Sequence, residues 1–402
     1  MRAVFAILLM IWAPAVLAQG FSGLARVDGA RSGLSESADA VELRLTLSQP
    51  VAWRVHMLDQ PPRLVVDFRE VDFAPMGTPD LSLLEKVVAL RTGRMGPGWT
   101  RLVAELAGPY GLATSQMVTG AEDGSARVEL RLEELSAEDF ARAAGARPSP
   151  LFPEPALTAR PAARPSEDGR LTVVLDPGHG GVDPGALRDG VSEADLMLIF
   201  ARDVKESLLR SGNYDVILTR NDDSFVSLET RLTIARRAGA DVFLSLHADA
   251  IEEGIAQGAQ VYTLSNEAST EALAKLAHRH DREDILAGAD LHGTDDQVAQ
   301  ALMEIARRET EPRIEALADA VVAGLRYEGV KLHKKPRAHG DFSVLKLPDI
   351  PAVLIEIAFL SSPSELKKLQ NAEWRQLAAA GIARSVAAWV AEDERLKALI
   401  RQ

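Results

Sequence analysis

The chain has 402 residues, a net charge of −13 at neutral pH and no cysteine. That length exceeds one ordinary core at about 150 residues per domain, and the negative balance argues against nucleic acid or anionic lipid as a bulk-electrostatic partner. Without thiols, stability rests on packed cores rather than disulfides, and any transition metal must be held by histidine and carboxylate.

Residues 1–18 read as a cleavable export signal: Arg2, an apolar run from Ala3 to Trp12, and Val16-Leu17-Ala18 before Gln19. Pro14 interrupts the run, which falls short of the roughly 20 apolar residues of a membrane span, so no stable membrane insertion is expected. Over 19–135 the runs VELRLTL, VAWRVHM, RLVVDF, RLVAEL and RVELRL alternate apolar and polar residues between turn-rich stretches, which predicts a small all-β domain. A short Ala- and Arg-rich helix at 136–147, then Pro148, Pro150, Pro153, Pro155, Pro161 and Pro165, predict a semi-rigid linker over 136–170.

From 171 to 402 strands alternate with amphipathic helices. LTVVLD reads as a strand, and Ser192 caps a helix with Leu196, Ile199, Phe200, Val204 and Leu208 at helical spacing. Strand YDVILTR, a helix over about 228–238, strands DVFLSLH and AQVYTL, two or three helices up to Gly329, strand AVLIEIAF and a closing helix over about 371–396 follow. This order predicts an α/β domain with an open, mostly parallel sheet and helices on both faces.

Sites in such sheets form at the carboxyl ends of the strands. His179 in DPGHGG follows the first strand, His247 closes the third, Glu356 lies late in the last long one, and Glu193 opens the first helix. Two histidines and a glutamate with a spare glutamate are the inventory of a hydrolytic zinc site. Each residue also has a plainer reading. His179 could sit in a phosphate loop, although GxGxxG is absent; Glu193 could favour a helix start, His247 could be a core histidine and Glu356 a solvated strand end. Between VLI and IAF, burial would raise the pKa of Glu356 toward the range of a general base. Gly178, Gly180, Gly181 and Gly185 allow close approach of a bulky substrate, and Asp176 and Asp183 are candidates to fix the imidazole tautomer.

Together VVLDPGHGGVDPGA, the helix-start Glu193, ILTRNDDSFVSLETR, ADVFLSLHADA and HGDFSVLKLPDIPAVLIEIAFLSSPSE resemble the zinc-dependent N-acetylmuramoyl-L-alanine amidases of bacterial cell-wall turnover, the Amidase_3 family. The resemblance covers nearly all of residues 171–397, and the preceding β region resembles an AMIN domain. It implies one zinc ion per chain held by His179, Glu193 and His247, with Glu356 as the catalytic glutamate. The implied reaction cleaves the amide joining N-acetylmuramic acid to L-alanine: the metal polarises the carbonyl, while Glu356 takes a proton from water and passes it to the leaving amine. Ala194 and Arg236 stand where family members often carry Lys and Asn.

The resemblance further implies a periplasmic protein acting on peptidoglycan in daughter-cell separation, with an envelope or septal target for the AMIN domain. The stretch from about 265 to 339 resembles the regulatory insertion of division-associated amidases, in which a helix plugs the zinc cleft until a LytM-domain activator withdraws it. Relatives commonly carry Arg-Glu-Asn where this chain has Arg279-His280-Asp281, so the expected plug is His280, Asp281, Glu283 or Asp284. Thr294-Asp295-Asp296-Gln297 is a capping-box signature before Val298, Leu302, Ile305 and Ala306, which read either as a core-facing stripe or as a short helix available for docking, while Ile314, Leu317, Val321, Val322 and Leu325 after Pro312 predict a second helix packed on the sheet. Two other readings are a zinc peptidase cutting within the stem peptide, disfavoured by the absence of HExxH, and a non-catalytic recruitment protein, disfavoured by all four site residues being present.

Overall fold

The computed structural model describes residues 24–77, 81–82, 84–96, 98–120, 124–145, 170–212, 214–250, 256–265 and 297–400. The segment read as an export signal, most of the expected linker, and His280, Asp281, Glu283, Asp284 and the first three residues of the capping-box signature lie outside the described residues.

Strands β1 (Gly33–Glu36), β2 (Ala40–Leu47), β3 (Trp53–Leu58), β4 (Arg63–Arg69), β5 (Val87–Gly96), β6 (Trp99–Leu106), β7 (Tyr110–Thr119) and β8 (Ala126–Glu134) build two four-stranded sheets, ordered β1-β2-β8-β7 and β3-β4-β6-β5. Every pairing in both is antiparallel. Alternation places Val41, Leu43, Leu45 and Leu47 of β2 and Val128, Leu130 and Leu132 of β8 against Leu64, Val66 and Phe68 of β4 in one shared core. The outer face of the second sheet is also largely closed: Asp67 takes Arg101 Nε at 2.6 Å and Arg54 Nε at 2.7 Å.

Helix α1 (Ala137–Ala143) starts at Ser136, whose Oγ accepts the Asp139 N–H at 3.1 Å, and seats Phe140 in that same core. The helix assigned to the linker therefore belongs to the β unit. Burying one aromatic side chain stabilises by roughly 2–3 kcal/mol, enough to hold a seven-residue helix that would not persist alone.

In the second unit β9 (Leu171–Pro177), α2 (Glu193–Ser211), β10 (Tyr214–Leu218), α3 (Leu228–Arg237), β11 (Val242–His247), β12 (Ala259–Leu264), α4 (Gln297–Tyr327), β13 (Leu332–Gly340), β14 (Ala352–Glu356), α5 (Pro363–Gln370) and α6 (Ala372–Ile400) follow in order. The sheet runs β10-β9-β11-β14-β12-β13, parallel throughout except where β12 meets β14. One face packs Val173, Leu175, Leu244, Leu246, Val353 and Ile355 under α2, α4 and α6. The other packs Val174, Phe243, Ala352 and Leu354 with α3 and the 342–350 segment. The expected α/β sheet with cover on both faces is present.

Three further expectations are corrected. The two helices read on either side of Pro312 are one continuous helix, α4: a proline removes one N–H and can kink a helix, but packing of Leu317, Ala318, Val321 and Leu325 carries it through. The stretch called an insertion to about 339 includes part of the main fold, because those α4 residues lie in the core and β13 is a strand of the sheet. Ile199, read on the buried stripe of α2, is 40% exposed.

Candidate active site

The even-numbered positions of β9 and β14 and the odd-numbered ones of β11 face α3, and toward the carboxyl ends of these strands they turn polar. Asp176, Ser245, His247 and Glu356 continue the apolar column begun by Val174, Phe243, Ala352 and Leu354. His247 and Glu356 are direct partners across the parallel β11–β14 register. Phe342, Ser343, Val344 and Leu228 line the cleft in front of them.

His179 and Glu193 arrive from the loop after β9 and the start of α2. Ser192 caps α2 by accepting the Asp195 N–H at 3.2 Å, which makes Glu193 the first helical residue and directs it inward. Glu193 is fully buried; its Oε1 accepts from Ala248 N at 2.8 Å and its Oε2 from Ala186 N at 3.0 Å. From the same Oε1, His179 Nε2 and His247 Nδ1 each lie at 3.3 Å. One ligand atom from each of the three residues falls within 4.8 Å of the others.

Two ligand atoms about 2.05 Å from a tetrahedral zinc sit about 3.3 Å apart, so both imidazole-to-carboxylate spacings match a common cation. On this observation the donor set fits zinc. Burial disfavours the charged form of His179, but the Asp183 and Glu193 carboxylates outweigh it and hold the imidazole well above its ordinary value. Burial likewise opposes ionisation of Glu193, and the two imidazoles hold it well below the usual carboxylate range. The cluster is organised to concentrate negative charge against two ring nitrogens.

Asp183 Oδ2 lies 2.7 Å from His179 Nδ1, and its Oδ1 accepts the Gly185 N–H at 3.0 Å, so it orients the ring as expected. Asp176 does not contact that imidazole. It takes Arg231 Nη1 and Thr219 Oγ1 at 2.6 Å and Ser245 Oγ at 2.8 Å.

Arg231 and Arg220 are the site residues that sequence reasoning missed. Arg231 donates to the carbonyls of Pro177 at 2.9 Å, His179 at 2.8 Å and Val226 at 2.8 Å. Arg220 donates to Pro177 O at 3.0 Å and to Gly178 O and Ala194 O at 2.8 Å. Together they hold the loop at His179, whose φ of 58° lies in the left-handed region that costs a non-glycine residue energy. Their only sequence signal was position, each within a quoted motif, because an arginine reads as a surface residue until its carbonyl partners are known. Beside them, a Cβ on Gly178 would come within 2.3 Å of the His247 ring, so the glycine lets the two histidine-bearing segments touch. Ala194 is buried behind the site, and Arg236 is exposed on α3.

A family model described as N-acetylmuramoyl-L-alanine amidase matches residues 173–388, and a model of the AMIN domain matches 34–132. The chain belongs to the N-acetylmuramoyl-L-alanine amidase family. This amidase is 38% identical over 229 residues to N-acetylmuramoyl-L-alanine amidase AmiA of Escherichia coli (strain K12), covering 56% of this chain and 78% of that one. It is 34% identical over 366 residues to N-acetylmuramoyl-L-alanine amidase AmiC of Neisseria meningitidis serogroup B, with 86% of each chain covered. A solved N-acetylmuramoyl-L-alanine amidase from Clostridium difficile 630 overlays with a TM-score of 0.41 at 25% identity, across 55% of this chain and 97% of that one. The amidase is a peptidoglycan hydrolase, and its AMIN match coincides with the two-sheet β unit.

Proposed function

We propose that His179, Glu193 and His247 hold one zinc ion and that Glu356 moves the proton when the amide between N-acetylmuramic acid and L-alanine is hydrolysed. The observation that supports this most is the pair of 3.3 Å spacings about Glu193 Oε1, beside a fully buried Glu356 on the neighbouring strand. Zinc in that position supplies a Lewis acid that polarises the carbonyl and acidifies water.

The protein's own groups do the rest. Asp249 N–H donates to Glu356 Oε2 at 2.9 Å and sets the plane of the carboxylate; we assign proton uptake and delivery to the other oxygen, Oε1. Glu356 takes a proton from the attacking water and returns it to the nitrogen as the C–N bond breaks, giving a lactyl carboxylate and a stem peptide with a free L-Ala amino terminus. Asp183 and Arg231 keep His179 in register during this step. The cleft lining of Leu228, Phe342 and Val344 limits water around the reacting carbonyl.

Glu356→Gln tests the assignment. It preserves shape and hydrogen bonding to Asp249, so the variant is expected to bind zinc with native stoichiometry and to lose at least about 100-fold in turnover of purified sacculi, the lower range for a general base. Loss of the metal together with activity would make Glu356 a ligand, and retained activity would remove it from the chemistry. Fragment masses separate the amidase from a peptidase cutting within the stem, since only the amidase releases the intact stem.

The regulatory part of the reading rests on the resemblance of the insertion to division-associated amidases. In it, His280, Asp281, Glu283 or Asp284 closes the site at rest, a LytM-domain activator opens it, and the protein works in the periplasm with the AMIN domain directing it to the septum. No helix among the described residues is long and apolar enough to cross a membrane. Deleting residues 266–296 should raise basal hydrolysis; an unchanged rate would count against a plug.

A further inference from the structure

The β unit touches the metal-site loop. Strand β5 is an edge strand, and its carbonyl at Arg94 accepts the Phe225 N–H at 2.8 Å. Met95 packs on Val182 and Phe225, and Arg94 Nη2 lies 3.1 Å from Asp222 Oδ2. The segments it meets, 180–183 and 222–225, also hold one another: Gly181 N–H donates to Asp223 Oδ1 at 2.8 Å. The approach is backbone to backbone. A Cβ on Gly93 would come within 2.3 Å of the Gly181 carbonyl carbon, and one on Gly181, at φ 62°, within 2.0 Å of Arg94 O.

At most one residue separates this contact from the groups of the site. Gly181 is two positions from His179, and Val182 precedes Asp183, whose carboxylate orients the His179 ring. The lining of the cleft contains no β5 residue, so the strand braces the loop from behind without covering the site.

We propose that the AMIN unit acts in cis on the metal centre: β5, docked on residues 180–183 and 222–225, holds the His179 loop in its metal-binding conformation. The partner of this interaction surface is the chain's own edge strand, and the inference rests on the metal reading above. Among the described residues, the contact includes one backbone hydrogen bond, one half-exposed ion pair, three apolar side chains and the close approach of Gly93 to Gly181. Exposed ion pairs contribute little, so docking depends on the high local concentration that the tether provides. Such a contact can be undone by one substitution.

The test uses the full chain. Gly93→Val places a side chain whose nearest neighbours would be Gly181 and Val182, and Arg94→Glu turns the attraction to Asp222 into repulsion. Arg94→Glu with Asp222→Arg restores the pair in the opposite sense. Small-angle X-ray scattering reads docking, and chelator competition reads zinc affinity. Both single variants should expand the radius of gyration and weaken zinc binding about tenfold, the lower range for groups that support metal ligands from behind, and the charge swap should recover both. Expansion with unchanged or tighter zinc binding overturns the proposal, as does unchanged scattering in both single variants. A wild-type chain that binds no zinc would instead remove the metal reading itself, and this inference with it.

Discussion

At the scale of single residues, the site depends on buried charges that have partners. Asp176 is fully buried, and against that burial Arg231 holds its carboxyl below the usual range. Removing one partner of such a pair typically costs about 3–5 kcal/mol. Arg231→Met should therefore lower unfolding free energy by that order in a denaturant titration. It should also weaken zinc binding about tenfold, because the His179 carbonyl loses its donor; Arg231→Lys should recover part of the stability and little of the affinity. In the β unit His56 gives the pH dependence. Burial, then Arg101, lower its pKa from 6.5 to about 4. The folded state keeps the ring neutral while the unfolded chain takes up a proton below 6.5, so this contribution is fully present above pH 6.5 and is lost as pH falls toward 4. It amounts to about 3 kcal/mol. Circular dichroism melts of His56→Gln should show a flatter decline across that window than the parent chain.

At the scale of elements, the strands that escaped the sequence reading share a cause. β5 and β7 are both sheet edges, and most of β7 from Ala113 to Gln116 is half-exposed or exposed, so neither carries the clean alternation that marked β2, β4 and β8. β13 has a register irregularity against β12 and reads as LHKKPRAHG, polar because it too is an edge. Edge strands need only one apolar face and one bonded side, which leaves little imprint on composition. Helix α4 gives the opposite case. Pro312 reads locally as a stop, yet the core stripe beyond it and the Arg313–Asp393 ion pair at 2.7 Å keep the helix continuous. Pro312 is exposed, so Pro312→Ala should restore a missing helix hydrogen bond and raise the melting temperature, by an energy on the order of 1–3 kcal/mol. A fall in melting temperature would show that the proline is needed for a bend.

At the scale of the whole molecule there are two large cores, one in the β sandwich and one across the α/β sheet, joined in the described residues by the small cluster of Met95, Val182 and Phe225. Two cores of this size need not melt together. On the proposed zinc reading, a metal held by the folded α/β unit stabilises chiefly that unit, so chelation should lower its calorimetric transition by several degrees and shift the β transition by less. A single transition moving as a whole would show the two units to be strongly coupled. Alternation, helix spacing and the four-residue inventory of His179, Glu193, His247 and Glu356 were legible along the chain, because periodicity and residue chemistry are local properties. The rule that sites gather at the carboxyl ends of parallel strands already placed three of those residues on one rim. Only the tertiary structure decided that one Glu193 oxygen stands 3.3 Å from both imidazoles, that Asp176 serves Arg231 and not His179, and that an edge strand from the other unit touches the segments beside the loop. These are distances between segments far apart in sequence, set by how two cores close, and no local pattern encodes them.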